Sequence, residues 1–289
     1  VYKRQVSLAC NQAGLMPRQI PKLIHQTWTS TSLPAGVVEV VTRMKLNNSD
    51  YEFRLYDDRM IDDYICNEFS PWEYNAFSRL TIGASKADFW RYCILYKQGG
   101  IYLDMDAEIV GQLDDLIGDQ DACLITREGN RPFFNNWIMA TVPGHPLFKL
   151  AIEKCCQNIY SHSSRNICRL TGPHGPLTDS INELYGSRCH GLIYDTTDRD
   201  LDIIFNNNHP TDSIRFYGVD MNGFAIFKHD AAEDLYKEHK HWTRESDYGA
   251  NKFHRVLLTM SKGPIKRLVQ AFRGWREPLL DRIRGIMMS

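Results

Sequence analysis

The chain has no run of about 18 consecutive apolar residues, so no segment reads as a membrane-spanning helix. It has no Cys-x-x-Cys pair, which argues against structural zinc and thioredoxin-type exchange. Its eight cysteines are scattered. Cys93 and Cys123 lie in apolar runs, so the cysteines read as reduced core residues rather than a disulfide framework. Net charge is almost absent, with 34 Lys and Arg against 35 Asp and Glu, and this excludes a general nucleic-acid binder. Internal repeats and low-complexity tracts are missing too. The chain does not begin with Met and shows no apolar signal core. Residues 1–18 therefore read as an N-terminal extension, with an upstream anchor left open.

What is there suits a large folded domain. A length of 289 residues with 43% apolar content can bury a full core. Six Trp and fourteen Tyr serve both core packing and sugar-stacking surfaces. Pro21 to Trp28 reads as a buried strand running into a loop, and Pro34 to Lys45 as a helix with Val37, Val38 and Val41 on one face. Tyr51 to Tyr56 alternates as a second strand, with helical segments following to about Leu80. Gly83 to Gln98 should be a helix buried around much of its circumference, since Phe89, Cys93 and Tyr96 form one apolar row and Trp90 and Ile94 another. Asp121 to Thr126 and Phe133 to Thr141 read as strands, and Leu147 to Tyr160 and Leu177 to Tyr185 as helices. Thr171 to Pro176 reads as a rigid loop, and 206–210 as another. Strand and helix alternate, which favours a sheet with parallel pairs and covering helices, α/β in class. In such sheets ligands bind beyond the carboxyl ends of the strands.

The most informative stretch is Gly99-Gly100-Ile101-Tyr102-Leu103-Asp104-Met105-Asp106. An apolar strand after a Gly-Gly turn ends in two carboxylates spaced i, i+2. On a regular strand these would share a face. Converging carboxylates at a strand end suit a hard divalent cation that keeps positions open for phosphate oxygens. Just upstream, Asp88 and Arg91 interrupt the apolar surface of the helix, and buried charges are costly unless they pair or meet a ligand.

With these pieces in order, the chain resembles the Asp-x-Asp sugar-binding glycosyltransferases of family 32, which include yeast-type mannosyltransferases and bacterial capsule and surface-polysaccharide enzymes. The stretches that carry the resemblance are Ile20 to Trp28, Ala87 to Tyr92 and Gly99 to Asp106, with Asn136, Pro143 to Pro146 and Thr171 to Pro173. It covers roughly residues 20–245. The resemblance implies a GT-A fold, a Rossmann-like mixed sheet flanked by helices, and a domain spanning 19–250. It implies retaining transfer of a sugar from a UDP- or GDP-sugar to a glycan or lipid-linked acceptor, with Mn2+ or Mg2+ bridging the diphosphate. Carried over by motif, Asp106 would bind the metal, and Asp104 the metal or the donor's ribose and sugar. Asp88 and Arg91 would hold donor-sugar hydroxyls, and Trp28 would flank the base. His25, Gln26, Tyr102, Asn136 and Gly172 complete the expected donor site. The family usually closes with a His before Gly-Ser-Trp. Here the region reads His239-Lys240-His241-Trp242, and either His is a candidate metal ligand, with His241 favoured by the aromatic after it.

Two other classes stay open on the residues alone: a nucleotide-sugar hydrolase or phosphodiesterase using the same carboxylates, and a non-catalytic sugar-binding module. Residues 251–289 read as a basic amphipathic helical C-terminus. Within 262–289 seven basic residues face only Glu277 and Asp281 around an apolar face that includes Phe272 and Trp275, a composition that suits contact with a membrane surface. A bacterial-type chain would then sit at the cytoplasmic membrane face, and a eukaryotic one with an upstream anchor in the Golgi lumen.

Overall fold

The computed structural model describes residues 19–128, 134–186, 203–205, 213–219 and 227–228. The N-terminal extension, the His239–His241 region and the basic C-terminus lie outside these residues.

The chain opens with β1 (Leu23–Thr27), α1 (Ala35–Asn47), β2 (Glu52–Tyr56), α2 (Asp58–Glu68), α3 (Pro71–Phe77), α4 (Gly83–Gln98) and β3 (Gly100–Leu103). There follow β4 (Glu108–Ile109), α5 (Leu113–Leu116), β5 (Cys123–Glu128), β6 (Phe134–Thr141), α6 (Pro146–Ser161), α7 (Ile167–Leu170) and α8 (Thr178–Tyr185). The last described strands are β7 (Ile203–Phe205), β8 (Ile214–Val219) and β9 (Phe227–Lys228). A seven-stranded sheet runs in the order β2-β1-β3-β6-β5-β8-β7, and β4 pairs with β9 in a separate ribbon. β1 is parallel to both β2 and β3, whereas β6 runs antiparallel to β3 and β5. The mixed α/β sheet expected from the alternating pattern is therefore present. Its parallel half, β2-β1-β3, carries the motif residues at its carboxyl ends.

Local chemistry explains the boundaries. The expected helical stretch to Leu80 divides at Ser70-Pro71. Pro71 begins α3 because its missing N–H costs nothing in the first turn, and the Ser70 hydroxyl accepts from the Trp72 N–H. α4 packs against both the sheet and α6, so it is buried on nearly every side, including Asp88 and Arg91. It ends at Gly99, whose φ of 64° is followed by Gly100 at 87°. A Cβ on Gly99 would sit 2.7 Å from the Thr141 carbonyl oxygen, and one on Gly100 2.7 Å from that of Leu23. Only glycine makes both the left-handed turn and the close approach.

Two sequence expectations change, and one stretch that sequence leaves unassigned gains strands. Thr171 to Pro176 is not a loop: Pro173–Leu177 forms a π-helical turn that runs straight into α8. The turn is held close because a Cβ on Gly175 would meet the Arg169 carbonyl oxygen at 2.2 Å. The stretch around 203–219, which has no clear periodicity, supplies β7 and β8, with β8 parallel to β5. The second changed expectation concerns Asp104 and Asp106. The ladder stops at Asp104, whose N–H reaches the Trp137 carbonyl at 2.8 Å, and the chain then turns, the Ala107 N–H bonding the Asp104 carbonyl at 3.1 Å. Asp106 sits in that turn rather than on an extended strand, so alternation along the strand does not set its direction.

His25 shows how the parallel half is buttressed. Its Nε2 lies 3.0 Å from the Gly99 carbonyl and its Nδ1 3.3 Å from the Tyr56 hydroxyl, so the neutral ring donates to the first and accepts from the second. Burial pushes its pKa down to about 4. Because the unfolded chain takes up this proton near the ordinary value of 6.5, this contribution to stability is complete above that pH. It is lost progressively as pH falls towards 4, by about 3 kcal/mol. Denaturant titrations between pH 4 and 7 should show that slope in the wild type and a flatter one in His25→Gln. Identical slopes would show that another group governs acid unfolding.

Candidate active site

The site is built from one helix, one strand end, one antiparallel neighbour and one π-helical turn. Arg91, on the buried length of α4, is the hub. Its Nη2 lies 3.3 Å from Asp88 Oδ1 and 3.1 Å from Asp104 Oδ1, and its Nη1 donates to the Asn136 carbonyl at 2.7 Å. Its Nε donates to the Ala87 carbonyl, and the guanidinium lies 4.3 Å from the centre of the Tyr102 ring. Tyr102 points to the same side of β3 as Asp104 and donates its hydroxyl to Asp104 Oδ1 at 2.7 Å. The Asn136 amide, on β6, donates to Asp88 Oδ1 at 2.8 Å, and the Thr171 hydroxyl reaches Asp88 Oδ2 at 3.4 Å.

Asp88 is thus held from three elements. A Cβ on Gly172 would lie 2.9 Å from Asp88 Oδ2, so glycine there lets the chain after α7 close over the carboxylate. Burial pushes the Asp88 carboxyl up to about 6, against the pull of Arg91, and the negative charge of Asp104 adds to the rise. Burial also works against the Arg91 charge, but Asp104 and its other neighbours outweigh it and hold the guanidinium fully charged. One permanent cation therefore serves two carboxylates. Asp88 is 7% exposed and Arg91 5%, while the Asp104 side chain is 27% exposed. The network is dry at Asp88 and open to solvent at Asp104, the arrangement of a rigid floor beneath a ligand position.

Of the residues expected at the donor site, the structure brings Asp88, Arg91, Tyr102, Asp104, Asn136 and Gly172 into one contiguous group. Trp28 stands on the opposite face of the parallel half, partly buried with Leu33, Val41 and Leu55 against Val37 and Met105. Gln26 is buried on the same face as Trp28, and His25 on the face of Tyr102. Asp106 is also buried, in the turn after Asp104. Among the described residues, no three His, Cys, Asp or Glu side chains gather closely enough to hold a metal ion. The partly exposed Asp104 and the buried Asp106 supply two carboxylates within one turn after β3. That set fits a divalent cation which takes its remaining ligands from a diphosphate and water, and it does not fit a closed structural metal site.

Three participants escaped the sequence reading. Thr171 and Tyr92, the latter with its hydroxyl 3.5 Å from the Asn136 amide, lie in the quoted motifs but had been given no role. The spacing of Asp88 and Tyr92 by one helical turn was the available signal. Met105, the middle residue of the Asp-x-Asp, is buried and pins the turn to the Trp28 cluster.

Residues 34–123 match the family model described as a glycosyltransferase sugar-binding region containing a DXD motif. Among relatives, the inositol phosphoceramide mannosyltransferase 2 of Schizosaccharomyces pombe is 33% identical over 50% of this chain and 40% of its own length. The mannosyl phosphorylinositol ceramide synthase CSH1 of Saccharomyces cerevisiae is 31% identical over 57% of this chain and 43% of its own. The match thus spans less than half the length of either. Inositol phosphoceramide mannosyltransferase 1 of S. pombe is matched over 68% of its length, at 25% identity. A solved structure, the PaToxG glycosyltransferase, superposes with a TM-score of 0.51 at 18% identity, covering 61% of this chain and 74% of that one, which bears on the fold alone. Residues 34–123, which hold Asp88, Arg91, Tyr102, Asp104 and Asp106, are thus similar to the sugar-binding region of glycosyltransferases that carry an Asp-x-Asp motif.

Proposed function

We propose that this protein is a metal-dependent, retaining glycosyltransferase that moves a hexosyl unit from a nucleoside diphosphate sugar to a glycan or lipid-linked acceptor. The observation that carries this reading is the buried Asp88–Arg91–Asn136 network that ends at the partly exposed Asp104 carboxylate, one turn before Asp106. The names of the relatives make mannose the first donor sugar to test and an inositol phosphoceramide the first acceptor.

In this reading Asp104 and Asp106 would hold Mn2+ or Mg2+, which would supply charge neutralisation for a diphosphate leaving group. Arg91 and Tyr102 both engage Asp104 Oδ1, which fixes that carboxylate before the donor arrives. Asp88 presents a buried acceptor to the donor-sugar hydroxyls, its orientation set by Asn136 and Thr171. Trp28 is assigned to the base side. Transfer goes by front-face displacement, with a leaving-group phosphate oxygen taking the acceptor's proton. The domain is assigned to 19–250, with 1–18 as an extension. The basic segment 262–289 is assigned to a membrane surface, where it would hold the domain near a lipid-linked acceptor, and His239 or His241 to the completed metal site.

The test separates sugar from nucleotide. Asp88→Ala should weaken binding of the nucleotide sugar about tenfold or more, the scale of one lost hydrogen bond to a charged group. Binding of the free nucleoside diphosphate with Mn2+ should stay within about twofold. Calorimetric titration of both ligands reads this directly. An equal loss for both would place Asp88 at the nucleotide or in the fold alone.

A further inference from the structure

At the outer edge of the seven-stranded sheet, β2 and the helix that follows it enclose a groove of about 330 Å3. Tyr56, Met60, Asp63, Tyr64, Asn67 and Glu68 line it, and none of them belongs to the Asp88–Arg91–Asp104 network. Its volume falls at the lower end of the range for small-molecule sites, about 300–1,000 Å3. The aromatic wall is fixed in place from behind. The Tyr56 hydroxyl lies 3.3 Å from His25 Nδ1, and its ring centre is 4.7 Å from that of the buried Trp90. The Tyr64 ring leans on Phe69 at 6.5 Å. Met60, in the first turn of α2, is 43% exposed and adds a soft apolar surface beside the two rings.

The rim of the groove says what kind of ligand. Asp63, Asn67 and Glu68 follow one another at i, i+4 and i+5 along α2, and the Asn67 amide is tied to the helix by donating to the Asp63 carbonyl at 2.8 Å. Asp63 lies 3.7 Å from Arg59 and Glu68 3.9 Å from Lys97, with all four side chains at least a third exposed. Exposed pairs this long contribute little to stability, so their donors and acceptors are available to a ligand. With Arg59 and Lys97 as counter-charges, these pairs leave the rim no excess of either sign, and neither an ammonium nor a phosphate gains much there. A sugar does gain: each hydroxyl both donates and accepts, and the C–H face of its ring packs on an aromatic ring. We propose that this groove binds a neutral saccharide and serves as the subsite for the non-reacting end of a glycan acceptor. Binding energy from such a remote part of a substrate helps to hold its reacting end in place. The acceptor role rests on the glycosyltransferase reading, whereas the saccharide site stands without it.

The test uses the full chain with labelled methionine methyl groups, the Met60 resonance being identified by its loss in Met60→Leu. Mannobiose, cellobiose and lactose are titrated as neutral probes, with choline and inorganic phosphate as charged ones. At least one disaccharide should move the Met60 signal saturably, and the charged probes should leave it in place. The double variant Asp63→Ala with Asn67→Ala alters only exposed side chains, so it should melt with wild type. It should bind that disaccharide about tenfold more weakly, the scale of one or two lost hydrogen bonds. In transfer assays it should raise KM for a glycan acceptor by a similar factor and leave KM for the nucleotide sugar within about twofold. A Met60 signal unmoved by all three disaccharides, or moved equally in the double variant, would overturn the inference. A stronger response to choline would overturn it too, making the groove a cation site. Sugar binding with an unchanged acceptor KM would keep the saccharide site and strike out its acceptor role. If no nucleoside diphosphate binds with Mn2+ while a disaccharide still moves Met60, the glycosyltransferase reading fails and the groove does not.

Discussion

Asp106→Asn is expected to abolish sugar transfer while leaving the melting temperature close to wild type. Asp106 sits in the turn that follows β3, closed by the Ala107 N–H on the Asp104 carbonyl, and an amide fills the same space as the carboxylate. What changes is charge. A neutral ligand holds a divalent cation less tightly and gives less compensation as the diphosphate departs. Loss of about 4 kcal/mol of transition-state stabilisation is a thousandfold in rate. Steady-state rates over a manganese titration would measure it, with higher metal recovering only part of the loss. Near-normal turnover at low manganese would remove Asp106 from the metal site and with it the proposed chemistry.

Arg91→Met should be the most damaging single change to the fold of the site. Methionine fills most of the arginine's length, yet it leaves Asp88 and Asp104 without their shared cation and the Asn136 carbonyl without its donor. Removing one partner of a buried ion pair costs about 3–5 kcal/mol, because the remaining charge stays desolvated. Lysine should rescue little, since one ammonium cannot reach both carboxylates and the Asn136 carbonyl with the fork geometry seen here. The pH dependence gives a second readout. Asp88 already titrates near 6 in the intact network, above its ordinary value in an unfolded chain, and loss of Arg91 raises it further. A carboxyl whose folded pKa is raised opposes folding above that pKa and ceases to do so as pH falls through it. The deficit of Arg91→Met relative to wild type should therefore be large at pH 8 and shrink towards pH 5. Urea unfolding at several pH values would show this. A deficit under about 1 kcal/mol and independent of pH would mean that solvent, not Arg91, compensates the two carboxylates.

How much of this was readable from residues alone differs from element to element. β1, α1, β2, α4 and β6 follow from periodicity and from punctuation by Pro and Gly, because each buries a continuous face and ends at a residue whose backbone allows little else. Gly99-Gly100 marked the junction of α4 and β3 for the same reason. The π-helical turn at Pro173–Leu177 was not readable, since Pro and Gly in quick succession signal a loop. Only packing of Gly172 and Gly175 against α7 shows that the turn is helical. β8 was hidden because its place depends on a partner, β5, some ninety residues earlier in the chain.

The site divides in the same way. Sequence by itself determined which residue types were available: two acids after a strand, an acid and an arginine on a buried helix, and an asparagine on a later strand, in an order that marks the family. Those are covalent facts, and the helical and strand periods carry them a few residues further. Tertiary structure alone decided that one guanidinium joins Asp88 to Asp104. It also decided that Asn136 and Thr171 close over Asp88, that Asp106 leaves the strand for a turn, and that Gln26 lies buried on the far face. The physical reason is that burial and hydrogen-bond partnership are properties of the neighbours that folding supplies. They come here from residues as far apart in the chain as Asp88 and Thr171, and no local pattern encodes them.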